Sequence, residues 1–198
     1  MKSFNWLLVL SVLSCFGCSS PVHEDDRGCA FVSDSIQYRV EFMSAGCVRI
    51  LSFPEGDTLV TKRLVGDSEK PAFKDYKWED TGQKLLFRTR ELSVVFDKAD
   101  AAFIFQETST GKLLLKEKGD RKARNFKRSV AGGEQCLEVT QRFVPTEDEA
   151  IYGLGQYQNG IMNYRGKSVL LLQANMDIVN PFLISTNGYG VLWDNYSS

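Results

Sequence analysis

The chain has 198 residues, with 24 Lys and Arg against 25 Asp and Glu and a single His, for a formal net charge of −1. Both signs are interspersed along the chain, which excludes a polybasic nucleic-acid binder and a polyacidic partner surface alike. At 43% apolar residues, it is long enough for one domain with a sizeable core.

Residues 1–20 have the pattern of a targeting segment and fall outside the fold argument. Lys2 gives a positive start, and residues 6–13 form an apolar run too short to span a bilayer as a helix. The run ends in Leu13-Ser14-Cys15-Phe16-Gly17-Cys18-Ser19-Ser20. A small residue before a cysteine, after a secretory core, resembles a bacterial lipoprotein signal, whose cysteine becomes the lipidated N-terminus. Cys18 is the candidate because a polar stretch follows it, and Cys15 fits the same pattern; an ordinary cleaved signal is the competing reading. The resemblance implies an outer-membrane lipoprotein of the bacterial cell envelope, at its periplasmic face or on the surface, held by acyl chains. Residues 21–28, polar and acidic, read as a tether, and residues 29–198 as the domain.

From there the dominant period is two. Ile36, Tyr38, Val40 and Phe42 alternate with Gln37, Arg39 and Glu41, the mark of a half-buried strand. A turn at Ser44-Ala45-Gly46 leads to a second strand through Val48, Ile50 and Phe53. Pro54-Glu55-Gly56-Asp57 is a strong turn signal, residues 59–64 suit a third strand, and residues 66–74 read as loop. Strands follow at 85–89, 92–96 and 101–106, then at 113–115 after the Thr108-Ser109-Thr110-Gly111 loop. Residues 125–130 and 136–143 flank a Gly132-Gly133 turn. Residues 112–128 are locally basic but interrupted by Glu117 and Asp120, and read as a solvated hairpin and loop. Strand signals every ten residues or so, with no sustained helical stripe, predict an antiparallel sandwich. One helical turn is allowed at 147–150.

Beyond the leader only Cys29, Cys47 and Cys136 remain. The odd count argues against a disulfide framework, although one bridge is open to an exported protein. No Cys-x-x-Cys occurs and His23 stands alone in the tether, so neither a zinc site nor any cofactor is expected.

Gly153-Leu154-Gly155-Gln156-Tyr157-Gln158 fails as a dinucleotide fingerprint, because Gln158 stands where the third glycine belongs and no βαβ unit surrounds it. Gly166-Lys167-Ser168 lacks the earlier glycine of a phosphate loop, since position 161 is Ile161. The glycines therefore read as tight corners between short strands. Glu147, Asp148 and Glu149 are adjacent, whereas glycosidases need carboxylates facing each other across a pocket. They read as an exposed acidic corner. With one His, a Ser-His-Asp or Cys-His arrangement is excluded in this chain. Asn175, Asp177 and Asn180 lie between two apolar stretches expected to be strands. Their side chains suit sugar hydroxyls, against the plainer reading of turn chemistry. Tyr157, Tyr164, Trp193 and Tyr196 can stack on sugar rings, against the plainer reading of strand-face packing.

Ile151-Tyr152-Gly153-Leu154-Gly155-Gln156, Gln173-Ala174-Asn175, Pro181-Phe182-Leu183-Ile184-Ser185-Thr186 and Gly188-Tyr189-Gly190-Val191-Leu192-Trp193-Asp194-Asn195 together resemble the N-terminal domain of glycoside hydrolase family 31. The strand, turn and Gly-Lys-Leu run over residues 92–116 fit the same domain. The resemblance implies an all-β, antiparallel, galactose-mutarotase-like β-sandwich (supersandwich), incomplete at its C-terminus and preceding a catalytic (β/α)₈ barrel. It implies that the loop holding Asn175 and Asp177 leans over the barrel mouth and binds substrate. The two catalytic aspartates of the family lie on the barrel, so no residue of this chain is expected to be catalytic.

Gln156-Tyr157-Gln158-Asn159-Gly160, with the Leu-rich run over residues 170–172 and Trp193-Asp194-Asn195, resembles bacterial α-xylosidases acting on xyloglucan fragments. The expectation is the N-terminal part of a retaining, exo-acting α-glycosidase, inactive alone. Its partners would be an oligosaccharide substrate (an α-xyloside or α-glucoside), its own downstream barrel, and the membrane through a lipid anchor. The alternative is a non-catalytic carbohydrate-binding envelope lipoprotein. A mutarotase-like enzyme is disfavoured, because that chemistry usually includes a His.

Overall fold

A computed structural model describes residues 22–57 and 72–194. Among the described residues all regular structure is strand, in four antiparallel sheets. The first contains β1 (His23–Glu24), β2 (Cys29–Ser33), β3 (Ile36–Ser44) and β4 (Cys47–Pro54), in that order. The second is built from β5 (Lys77–Asp80), β6 (Lys84–Arg88), β7 (Leu92–Asp97), β8 (Ala102–Glu107) and β9 (Leu113–Glu117), with β12 (Phe143–Val144) added beyond β9. β10 (Arg124–Ala131) and β11 (Glu134–Gln141) form a two-stranded ribbon. β13 (Ile151–Gln156), β14 (Ile178–Ser185) and β15 (Tyr189–Leu192) form a third multi-stranded sheet.

The expected alternation in β3 holds. Tyr38, Val40 and Phe42 are buried against Leu85, Phe87, Val94, Phe96 and Phe103 of the second sheet. Phe31 sits 4.8 Å from Phe96 and Tyr38 sits 5.1 Å from Phe96, centroid to centroid, spacings at which tilted rings attract. Two sheets thus close face to face over an aromatic core, which is the all-β sandwich the period-two pattern called for.

Charges depart from the pattern. Glu41, on the nominally outward face of β3, is 1% exposed and meets Arg49 of β4 at 3.3 Å, while Arg49 reaches Asp194 at 3.6 Å. Arg124, read as part of a solvated basic stretch, is buried with Glu117 at 2.5 Å and lies over the rings of Tyr38 and Phe103. Glu117 also accepts the Phe103 N–H at 2.8 Å and the Gln141 amide at 2.7 Å. One carboxylate therefore ties the ribbon's base to the second sheet.

Residues 22–28, expected as a tether, carry structure of their own. β1 pairs with β2, Glu24 accepts from Tyr76 and Trp78, and Asp25 accepts both terminal nitrogens of Arg39. Polar composition suggested slack chain, but these carboxylates find donors far away in sequence. β2 and β5 were missed, since neither is long or alternating. The expected strand at 59–64, the leader with Cys15 and Cys18, and Tyr196 lie outside the described residues. Cys29, Cys47 and Cys136 are free thiols. Burial pushes the Cys29 thiol up to about 11.

Candidate functional site

β13 and β14 are joined by residues 157–177, a connection without regular strands that holds the predicted Asn175 and Asp177. Its two anchors are built differently. At the β13 end, the register shifts between Gly153 and Gly155, with Leu154 between them at φ 66°. Gly155 has φ 112°, and a Cβ there would stand 1.9 Å from the Ile178 carbonyl oxygen. The Gly-Leu-Gly sequence is a bulge that lets β14's backbone approach where no side chain fits. This is the physical role of the glycines that mimicked a nucleotide loop.

At the other anchor, Gln173 spans the turn. Its amide nitrogen donates to the Asp177 carbonyl at 2.8 Å, and its carbonyl oxygen accepts the Val179 N–H at 3.0 Å. Inside this clamp the Asp177 N–H reaches the Ala174 carbonyl at 3.3 Å, and Met176 is left-handed at φ 70°. Asn175 is exposed at the tip and Asp177 is half-buried. The Tyr157 hydroxyl donates to the Leu154 carbonyl at 3.0 Å. Partial burial, together with the neighbouring Tyr164 and Asp177, pushes that phenol up. Gly155 pairs with Val179 and Gln156 with Ile178, so the ladder brings Tyr157 and Asp177, twenty positions apart, to one corner.

Asn180, grouped with them from the sequence, belongs to β14 itself, and residues 169–172, expected to be a strand, are irregular. Leu170 is 78% exposed and Leu172 60%. Tyr164 is buried, and its N–H donates to the Ile151 carbonyl at 2.8 Å, so the connection doubles back along β13's outer edge. Trp193 is half-buried, its N–H bonded to the Pro181 carbonyl.

The acidic corner divides. Glu147 and Asp148 are exposed, but Glu149 is buried. Glu149 accepts the Ser185 hydroxyl at 2.5 Å, the Tyr189 hydroxyl, and the Thr146 N–H at 2.9 Å. Burial pushes this carboxyl up, yet the Ser185 and Tyr189 hydroxyls and Thr146 outweigh it and hold the group below the ordinary carboxylate range. Tyr189 is pushed up, by burial and then by Glu149. Arg165 donates to the Thr146 and Glu149 carbonyls at 2.6 and 2.8 Å. Asn187 donates to the Leu113 and Leu114 carbonyls of β9. Glu149 is thus the joint between the third sheet, the 157–177 connection and, through the Ser185–Asn187 turn, the second sheet. Sequence reasoning missed it, although a Glu three residues after Thr146 and just before a strand was a signal for local capping.

One face of the third sheet is apolar and open. Tyr152 stands opposite Ile184, and Phe182 opposite Leu192. Tyr152, Ile178, Ile184 and Leu192 are all exposed, as are Met162 and Met176 of the connection. Chemically, the corner offers an amide, a carboxylate and a phenol beside apolar surface. Asp177 is the one acid between residues 157 and 177, so the connection can hold hydroxyl groups but supplies no carboxylate pair for glycoside cleavage. A separate groove of about 550 Å³ runs past Tyr76, Trp78, Lys77 and Arg88 and shares no lining residue with this corner.

Comparisons with known proteins match this architecture. The profile described as the glycosyl hydrolase 31 N-terminal galactose mutarotase-like domain matches residues 37–198. An α-xylosidase of Saccharolobus solfataricus is 33% identical over 178 residues, covering 82% of this chain and 23% of that protein. The crystal structure of a family 31 α-xylosidase from Xanthomonas citri superposes with a TM-score of 0.73 at 31% identity, over 85% of this chain and 18% of that one. That of a soil-metagenome α-xylosidase complexed with xylose gives 0.69 at 26% identity, over 89% and 28%. The chain therefore spans under a third of the length of these relatives.

Proposed function

The chain belongs to glycoside hydrolase family 31, of which it supplies the N-terminal galactose mutarotase-like domain, and from that premise we propose that it works as the front part of a retaining, exo-acting α-xylosidase on xyloglucan oligosaccharides. Asn175 and Asp177 bind sugar hydroxyls at the pocket rim, and the apolar face of the third sheet packs on a (β/α)₈ barrel that carries the nucleophile and the acid. A lipid on Cys18 or Cys15 holds the protein in the bacterial cell envelope.

One observation carries the proposal: a polar corner held by Gln173 lies at the end of an open apolar sheet face. Monomeric surfaces rarely leave such a face uncovered. Identity to α-xylosidases of about one residue in three supports the substrate class. By itself the chain is expected to release no 4-nitrophenol from α-xylosides.

The test is the reading frame beyond codon 198, expressed and assayed with 4-nitrophenyl α-xyloside, 4-nitrophenyl α-glucoside and xyloglucan oligosaccharides. Faster turnover of the xyloside, with Asp177→Ala raising KM, is the expected result. A preference for the glucoside overturns the xylosidase reading, and a KM unmoved by Asp177→Ala overturns the rim role.

A further inference from the structure

We infer that the domain is seated directly on the phospholipid headgroups of the membrane that anchors it, through the rim formed by β1 and residues 72–90; this rests on the lipid-anchor reading with Cys18 as the lipidated residue. The inference comes from chain length. Val22 lies four peptide steps from Cys18 and seven from Cys15, a fully extended reach of at most about 14 and 25 Å. A slack tether running to Cys29 would have added seven further steps, for about 38 Å from Cys18. A domain of this length has a radius of gyration of about 15 Å. An anchor on Cys18 therefore keeps Val22 within about 14 Å of the surface, less than that radius, whereas an anchor on Cys15 would not.

Residues 22–28 cannot unravel cheaply to lengthen the link. Asp25 holds Arg39 through two charged contacts at 2.8 and 2.5 Å and accepts the Arg27 N–H at 2.8 Å. Arg39 holds the Asp25 carboxyl far below the usual carboxylate range. The Asp25 carbonyl accepts Lys74 Nζ at 2.9 Å. Glu24 accepts the Tyr76 hydroxyl at 2.8 Å and the Trp78 indole N–H at 2.9 Å. The point of chain entry is thus fixed to the segment carrying Lys74 and Lys77, beside the groove that Arg88 and Arg90 also line. Lys74, Lys77, Arg88 and Arg90 are exposed there, against Glu24, Asp75, Glu79 and Asp80, with Arg90 also paired to Glu91 at 3.1 Å. The cations meet headgroup phosphates, and the acids meet headgroup amines.

The experiment uses the full chain, processed by a lipoprotein-competent bacterial host and reconstituted into phosphatidylethanolamine–phosphatidylglycerol vesicles. N-terminal mass spectrometry reads the lipid. An amine-reactive ester reads Lys74 and Lys77 in vesicles and in detergent, with Lys127 of the ribbon as the internal reference. The expected result is a lipid on Cys18 and acylation of Lys74 and Lys77 slowed roughly fivefold or more in vesicles relative to Lys127. A twelve-residue Gly/Ser spacer inserted between Ser20 and Pro21, adding roughly 20 Å of reach, restores the detergent rate. A lipidated chain whose Lys74 and Lys77 react equally in both settings overturns the seating and leaves the anchor standing. Protection that survives the spacer overturns the chain-length argument. A lipid on Cys15 overturns the chain-length argument, and a chain with no lipid on either cysteine overturns the anchor reading, and the seating with it.

Discussion

Glu149→Gln is the most informative single change in this domain, because it keeps the shape of a buried side chain and removes only its charge and one acceptor. The native carboxylate collects the Ser185 hydroxyl, the Tyr189 hydroxyl and the Thr146 N–H. A hydrogen bond to a charged group contributes about 1.5–3 kcal/mol, a neutral one about 1. Gln can still accept from the two hydroxyls, more weakly, but its NH₂ then faces the Thr146 N–H and leaves that donor unpaired, at about 1–3 kcal/mol. The sum is a loss of about 2–4 kcal/mol. With a urea slope of about 2 kcal/mol/M, the unfolding midpoint falls by about 1–2 M. Tyr189→Phe removes one donor and costs about 1–2 kcal/mol. The double variant loses less than the sum of the singles, because both act on one network.

The pH dependence has a definite sign. Glu149 sits below the ordinary carboxylate range when folded, so the unfolded chain binds its proton first as the solution is acidified. Its stabilisation is fully present above about pH 5 and is lost as pH falls through the folded value. The gap between wild type and Glu149→Gln is therefore widest near neutrality and narrows on acidification. A midpoint within about 0.2 M of wild type at pH 7, or a gap that widens in acid, would refute the assignment of Glu149 as the joint.

Gly155→Ala, which sets a Cβ 1.9 Å from the Ile178 carbonyl oxygen at φ 112°, costs at least about 3 kcal/mol or leaves the chain unfolded, whereas Gly132→Ala, with open space around it, costs about 1; thermal unfolding monitored by circular dichroism separates them. Arg124→Met strands Glu117 in the core and costs about 3–5 kcal/mol, and pairing it with Glu117→Leu recovers part of the loss, measured by denaturant titration. Cys29, with its thiol pushed up to about 11, is alkylated at pH 8 roughly a hundredfold more slowly than a free thiol and at the ordinary rate in denaturant, which peptide mass spectrometry resolves. Under the proposed rim role, Asp177→Ala raises KM for the xyloside by roughly ten- to a hundredfold, the value of one charged bond to a sugar hydroxyl.

The strands of the sandwich were legible wherever the signal was local. Tyr38, Val40 and Phe42 announce β3 by alternation, and the Gly132-Gly133 turn places the β10–β11 ribbon to within a residue or two. Val169 to Leu172 shows the limit of that signal. Four apolar residues in a row look like a strand, but they take no ladder, because β14 already finds its partners in β13 and β15. The corner around Asn175 and Asp177 was legible as a polar interruption beside recognisable family motifs. Its construction was not: Gln173 reads in the sequence as one more polar residue, and only its two backbone bonds reveal a clamp.

The sequence by itself determined the strand-forming periods, the turns, the absence of a catalytic pair between residues 157 and 177, and, through motif order, the family. These follow from φ/ψ preferences and side-chain period, which each residue carries with it. The tertiary structure decided the fate of the charges. Glu149 looked solvated and is buried, because its donors at 185 and 189 arrive from a hairpin more than thirty residues away. Arg124 and Glu41 are buried for the same kind of reason, and residues 22–28 are folded because Arg39, Tyr76 and Trp78 come to meet them. A carboxylate enters a protein interior only when partners offset its desolvation, and those partners are set by the packing of distant strands.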